Sequence, residues 1–295
     1  MKCFLPLLSV LVFACSANSQ PSAAKESEKV FVFPYDLNQP TFVHALSKEL
    51  EEVSGLSDFD ESHVACVQDE KGIIYILDLA TGAISNQFEF ESDDDFEGVA
   101  FVNPSFYVLR SDGRITYIPD YRQPKEHRNI KEKIPTKDNE GLCYDVANNR
   151  LLIAAKSKPN KDSKLDKEDR LFYQFDLNAM WFDAEPLFKL SVNEVTAAAK
   201  AAGIKVPVDG STKQIDFRPS SIAIHPETKQ IYILSAADFL LVVCNPKGEL
   251  MSVEQLNPKR FPKAESITFM SNSTMVIANE GVRGKATMLV FQKID

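Results

Sequence analysis

The chain has 295 residues, 44% of them hydrophobic, enough to bury a core of its own, and its composition excludes fibrous and wholly disordered classes. Its formal net charge is −9 and it carries no basic cluster of the kind that tracks phosphates. That balance sets nucleic acid aside and favours cations and basic groups as partners.

The first residues read as an export signal. Lys2 precedes a short apolar run from Phe4 to Ala14, and Cys15 opens the polar stretch SANSQPSAAKESEK. The run is too short to span a bilayer as a helix. The order of charge, apolar run, Ala14 and cysteine resembles a bacterial lipoprotein signal, with VFAC as a loose lipobox. It implies a signal peptide over 1–14, lipidation of Cys15, a flexible tether over 15–28 and one folded domain over 29–295. An ordinary secretory peptide cut near Ala17 would export the protein without the lipid.

Beyond the tether the chain repeats itself. SGLSDFD at Ser54, EGVAFVN at Glu97, EGLCYDV at Glu140, SSIAIHP at Ser220 and ESITFMS at Glu265 align, with spacings of 43, 43, 80 and 45 residues. The long interval is one unit with an insertion. Within that insertion the alanine-rich VNEVTAAAKAAG, Val192 to Gly203, predicts a short helix. Each unit reads as four short strands with turn signals between them, as in SGLSDFD, HVACVQDE, GIIYILDL and AISNQFEF. A period in the forties with four strands per unit predicts an all-β fold, a β-propeller of five four-stranded blades. The fifth unit runs out of chain after three strands, so an N-terminal strand is expected to complete it. KVFVFP, Lys29 to Pro34, is the candidate. Six blades is the competing count, if Asn38 to Leu50 and the insertion conceal strands.

Cys66, Cys143 and Cys244 each sit among strand-like apolar residues. Their odd number argues for separate thiols packed as small hydrophobes, with no disulfide or metal framework.

EEVSGLS (Glu51 to Ser57), VQDEKGIIYILD (Val67 to Asp78), DNEGLCYD (Asp138 to Asp145), NRLLIAAK (Asn149 to Lys156), RPSSIAIHP (Arg218 to Pro226) and IANEG (Ile277 to Gly281), in that order, resemble the SdiA-regulated, YjiK-like family of bacterial envelope proteins. The resemblance spans most of the chain after the tether. It implies a β-propeller distantly similar to NHL-repeat proteins, a calcium site, and no settled activity. Ser266 stands where the pattern has a glycine after the glutamate, and Ser220-Ser221 replaces Glu-Gly in the fourth unit. Both departures bear on whether a ring of acidic ligands is complete.

In a propeller the first strand of each blade lies innermost and the second returns antiparallel to it. The starts of first strands and the ends of second strands therefore share one face beside the axis. This places Glu97, Glu140, Glu265 and Glu52 near Glu70, Asp112, Asp238, Asn279 and Glu280, as a single acidic mouth. Carboxylates crowded there raise one another's pKa unless a cation sits among them. Calcium takes oxygens from carboxylates, amides and waters, so Glu97, Glu140, Glu265, Glu52, Glu280 and Asn279 form its candidate set. Asp69, Asp112 and Asp238 also fit plain turn roles, and the acids could be solvated rim residues. Lys156, the one cation expected at that rim, could pair with Glu140 or, with Glu70 and Asp112, help to bind a ligand. His225, before Pro226, reads as a turn residue, and Trp181 as an outer-strand or inter-blade residue.

Two functions fit. One is a monomeric, lipid-anchored envelope module whose calcium-bearing mouth and loops bind a small ligand or protein. The other is a calcium-dependent lactonase- or esterase-like hydrolase. The sequence contains no nucleophile elbow and identifies no catalytic residue.

Overall fold

The computed structural model describes Met1 and residues 31–130, 134–136, 138–158, 168–205, 214–282 and 284–294. The segments read as signal and tether, with Cys15, lie outside the described residues apart from Met1. The propeller is the compact unit Phe33–Asp295.

Its closing strand comes first, as β1 (Phe42–Ala45). Blade 1 follows as β2 (Val53–Asp58), β3 (His63–Gln68), β4 (Ile73–Asp78) and β5 (Ile84–Glu89). Blade 2 is β6 (Phe96–Val102), β7 (Ser105–Arg110), β8 (Ile115–Ile118) and β9 (Arg128–Asn129). Blade 3 is β10 (Asn139–Asp145), β11 (Arg150–Ala155), β12 (Asp169–Asp176) and β13 (Trp181–Phe182), with β14 (Phe188–Ser191) also pairing with β12. Helix α1 (Val192–Ala201) then precedes blade 4, which is β15 (Ser221–Ile224), β16 (Ile231–Ser235), β17 (Leu240–Cys244) and β18 (Leu250–Gln255). Blade 5 joins β19 (Ala264–Phe269), β20 (Met275–Asn279) and β21 (Thr287–Phe291) to β1. Innermost strands β2, β6, β10, β15 and β19 contact one another in sequence and around the closure, so five blades form the ring, not six.

Burial explains the sequence pattern. A second strand such as HVACVQ is covered on both faces by neighbouring blades and is apolar almost throughout. The outermost strand of the same blade, ISNQFE, is mostly exposed and polar. The seams between blades are the core. Cys66 and Cys244 lie fully buried in two of them and Cys143 is half-buried, all as free thiols.

The closing strand departs from expectation. Phe42–Ala45 pairs with β21, with Phe42 opposite Val290 and Ala45 opposite Thr287. Residues 31–34 of KVFVFP form no strand, and Lys29 and Val30 lie outside the described residues. The reason is anchoring. Leu46 and Leu50, just after β1, drop into the seam between blades 5 and 1, each stabilising by roughly 1.5–3 kcal/mol. FVHA itself is mostly exposed at the ring's edge, so its alternation is weak.

The insertion helix forms as expected. Ser191 accepts the Asn193 amide hydrogen as N-cap, and Val192, Val195, Thr196 and Ala199 supply a buried stripe at helical spacing. Among the described residues no helix is long and apolar enough to cross a membrane.

Candidate functional site

The repeated glutamates occupy β-bulges. On β6 the register slips between Phe96 and Gly98, leaving Glu97 as the extra residue. On β10 the slip falls between Asn139 and Gly141, at Glu140, and on β19 between Ala264 and Ser266, at Glu265. Blade 1 bulges in the same way at Ser54. In blade 4, Leu234 accepts from the Ser220 amide at 2.9 Å and is the register partner of Ser221. Bulges re-aim a side chain beside a site, and here one stands at the axial start of four of the five innermost strands.

Side-chain length divides the five. The two serines are short and turn back on the scaffold, where Ser54 donates to the Phe96 carbonyl at 2.7 Å and Ser220 to the Ala264 carbonyl at 3.0 Å. Each bond ends on the residue preceding the next blade's glutamate. The three glutamates are long enough to share one electrostatic environment. Burial, then the charges of Glu140 and Asp95, push the Glu97 carboxyl up to about 9. Burial and then Glu265 push Glu140 up to about 8, against the pull of Lys156. Burial also raises Glu265, again opposed by Lys156 and Lys263.

The glycines that follow two of these glutamates let the inner strands approach. A Cβ at Gly98 would stand 2.7 Å from the Leu142 Cβ on β10, and one at Gly141 3.0 Å from the Ile222 backbone nitrogen on β15. Ser221 and Ser266 show that the fourth and fifth inner strands have room for a side chain, and Ser221 Oγ accepts the Ile267 amide at 3.2 Å.

Two lysines stand among the acids. Lys156 donates to Glu140, the pairing expected from sequence. Its pKa is pulled down by burial but raised on balance by Glu140 and Glu265. Lys263, which the sequence reading missed, pairs with Glu280 and lies 3.5 Å from Glu265. Lys156 is therefore not the only cation at the rim. Lys263 lies in the loop before β19, a position that strand alignment does not mark. Glu97 has no ion-pair partner among the described residues.

The other expected members fall elsewhere. Glu52 and Glu70 are exposed around Asp69, whose carboxyl rises to about 6 through burial and then the charges of Glu52 and Glu280. Asp69, Glu70, Asp93, Asp94 and Asp95 line an open depression of about 520 Å³ beside the mouth. Asp112 accepts the Arg114 amide at 3.1 Å and lies 3.6 Å from the Arg110 guanidinium, which is a turn role. Asp238 is buried under the insertion, accepting the Asp216 amide at 3.0 Å. Asn279 is buried, donating to the Arg260 carbonyl and to Thr287, while its Oδ1 has no partner. Trp181 is on the outer strand of blade 3 and 60% exposed.

Oxygen donors suited to calcium are thus present at the mouth. Among the described residues, however, no three acidic, imidazole or thiol groups are placed to share one metal ion. Lys156 balances the charge of Glu140 where a metal would otherwise do so.

No protein-family model matches the sequence, and no curated protein matches it. Solved structures do. Glutaminyl cyclase from Myxococcus xanthus superposes with a TM-score of 0.55 at 12% identity, over 87% of this chain and 97% of that one. A chain of a nidogen/laminin complex gives 0.49 at 13% identity, over 77% and 72%. The WD40 repeats of RRP9 give 0.43 at 9%, over 81% and 67%. At such identities the likeness to the cyclase is one of fold, the β-propeller.

Proposed function

We propose that this chain is a binding propeller of the SdiA-regulated, YjiK-like kind, held in the bacterial envelope by a lipid on Cys15, whose axial mouth takes up a positively charged ligand. The observation that carries the reading is the convergence of Glu97, Glu140 and Glu265. Three bulges bring the buried carboxyls of Glu140 and Glu265 and the half-buried one of Glu97 into one environment, and the two lysines pair with Glu140 and Glu280, leaving Glu97 with no ion pair among the described residues. An incoming cation would replace the proton that burial and repulsion hold on Glu97.

The ligand is an ammonium or guanidinium group of a small molecule or protein, or calcium itself. For calcium, Glu97, Glu140 and Glu265 are the first donors, with Glu52, Glu280 and Asn279 further out, and Lys156 would have to leave Glu140. The test is calorimetric titration of the full chain with calcium, magnesium, a small diamine and a lysine-rich peptide, in buffers of different ionisation enthalpy. Binding that releases a proton, and that vanishes in Glu97→Gln/Glu140→Gln, supports the reading and identifies the cation. If no probe binds, or binding survives the double substitution, the mouth is not the site.

One observation favours a catalytic reading. Two neighbouring carboxyls, Glu97 and the Lys156-paired Glu140, are both raised above the ordinary carboxylate range by burial, the condition for a carboxyl to hold a proton near neutral pH and act as a general acid. Reactions to assay are cyclisation of N-terminal glutaminyl peptides, after the named activity of the Myxococcus xanthus neighbour, and calcium-dependent lactone and ester hydrolysis. No turnover on any of them leaves binding as the function.

A further inference from the structure

The face opposite the mouth holds a second titratable device. After the inner strand β15 ends, His225 turns the chain into β16, and its ring is fully buried. Its Nδ1 accepts the backbone N–H groups of Glu227 at 3.2 Å and Thr228 at 3.3 Å. Its Nε2 lies 3.0 Å from the Tyr35 hydroxyl, which itself donates to the Ser273 carbonyl at 2.7 Å. Because that hydroxyl proton is committed to Ser273, the Tyr35 oxygen accepts and Nε2 carries the hydrogen. Nδ1 must then be bare, since two N–H donors point at it. The ring is held in one tautomer of the neutral form.

Tyr35 belongs to the N-terminal strap that leads to the closing strand. Tyr35 packs between blades 4 and 5 against His225 and Phe269, with Phe33 against Tyr35 and Tyr232. The strap is tied further by the Ile294 amide to the Pro34 carbonyl at 2.8 Å and by the Thr41 amide to the Val290 carbonyl at 2.7 Å. We propose that His225 is an acid-sensitive latch, whose protonation releases the Phe33–Tyr35 strap from the base of blades 4 and 5. A proton on Nδ1 faces two amide hydrogens, so the turn 225–228 has to open. The imidazole then leaves Tyr35, and the strap loses its deepest anchor.

The charged and titratable groups around the ring do not cancel this. Glu227 favours the charged form, while Lys229 on the same turn and Lys293 after β21 oppose it. Tyr35 and Tyr232, from the strap and β16, are phenols that burial keeps neutral. Burial outweighs them all and holds the imidazole below its ordinary value.

The test is hydrogen exchange of the full chain, following residues 33–41 at pH 7 and pH 5 with correction for intrinsic rates. Protection of the strap should fall about tenfold at pH 5 while β16 and β17 hold. His225→Asn supplies a turn acceptor that cannot titrate but gives up the bond to Tyr35, so its strap protection, whatever its level, should be the same at both pH values. Unchanged wild-type protection at pH 5, or equal acid loss in His225→Asn, overturns the latch. Should that variant not fold, NMR of the wild-type imidazole decides. Coincident midpoints for His225 titration and strap exposure support the proposal, and separate midpoints sink it.

Discussion

The Ser54 hydroxyl donates to the carbonyl oxygen of Phe96 at 2.7 Å, stitching the bulge of blade 1 to the residue before Glu97 in blade 2. Ser220 makes the same stitch to Ala264, the residue before Glu265. The serines that break the Glu pattern therefore position the glutamates that keep it. Ser54→Ala or Ser220→Ala removes one buried hydrogen bond, so each should cost about 0.5–1.5 kcal/mol in urea unfolding. If the stitches also position the mouth, the cation titration of the corresponding variant weakens beyond what its lost stability explains.

Gly98→Ala places a methyl group 2.7 Å from the Leu142 Cβ and 3.2 Å from the Glu140 carbonyl oxygen, at the seam of blades 2 and 3. Backbone on one side cannot yield as a side-chain tip would. Overpacking of this kind costs about 1–3 kcal/mol, seen as a lowered urea midpoint with an unchanged slope. Gly203→Ala, in open space, serves as a control for volume, although the left-handed backbone there adds its own strain.

Lys156→Met removes the partner of a carboxylate that is 7% exposed. Near pH 5 Glu140 can stay protonated, and the variant should be close to wild type in stability. By pH 9 it must either carry an unpaired buried charge or hold its proton at growing cost, and the deficit should reach about 2 kcal/mol. Equal deficits at the two pH values would mean that Lys156 contributes through packing alone.

The whole protein should show a stability maximum in mildly acidic solution. Glu97, Glu140 and Glu265 have folded pKa values above their unfolded ones, so between about pH 4.5 and pH 9 the native state binds more protons. Stability then falls as pH rises through that window. His225 works on the acid side. Its folded value is depressed, so stability is undiminished above the ordinary imidazole pKa near 6.5 and lost as pH falls below it. Thermal midpoints from pH 4 to 9 test both limbs. Glu97→Gln should flatten the alkaline limb and His225→Asn the acid one.

Much of this molecule follows from its sequence because β-propeller blades are local. Each unit pairs with itself, so strand identity, turn position and the five-fold period are written within about forty residues, and the glutamate register shows in simple alignment. Even the pairing of Lys156 with Glu140 is legible, since adjacent strands of one blade bring them together. What the alignment could not contain is whatever two blades, or two ends of the chain, decide jointly. The closing strand was chosen by the seam that Leu46 and Leu50 enter, and not by the strand-like look of KVFVFP. Lys263 reaches Glu265 and Glu280 from a loop with no strand register. Glu52 and Glu70 are exposed and gather around Asp69, a grouping that no strand register marks. The neutral His225 latch exists only because residue 35 comes to lie beside residue 225. Sequence period dictates contacts within a blade, where partners are near in the chain. Burial, tautomer and charge compensation are set across seams, where partners meet only after the ring has closed.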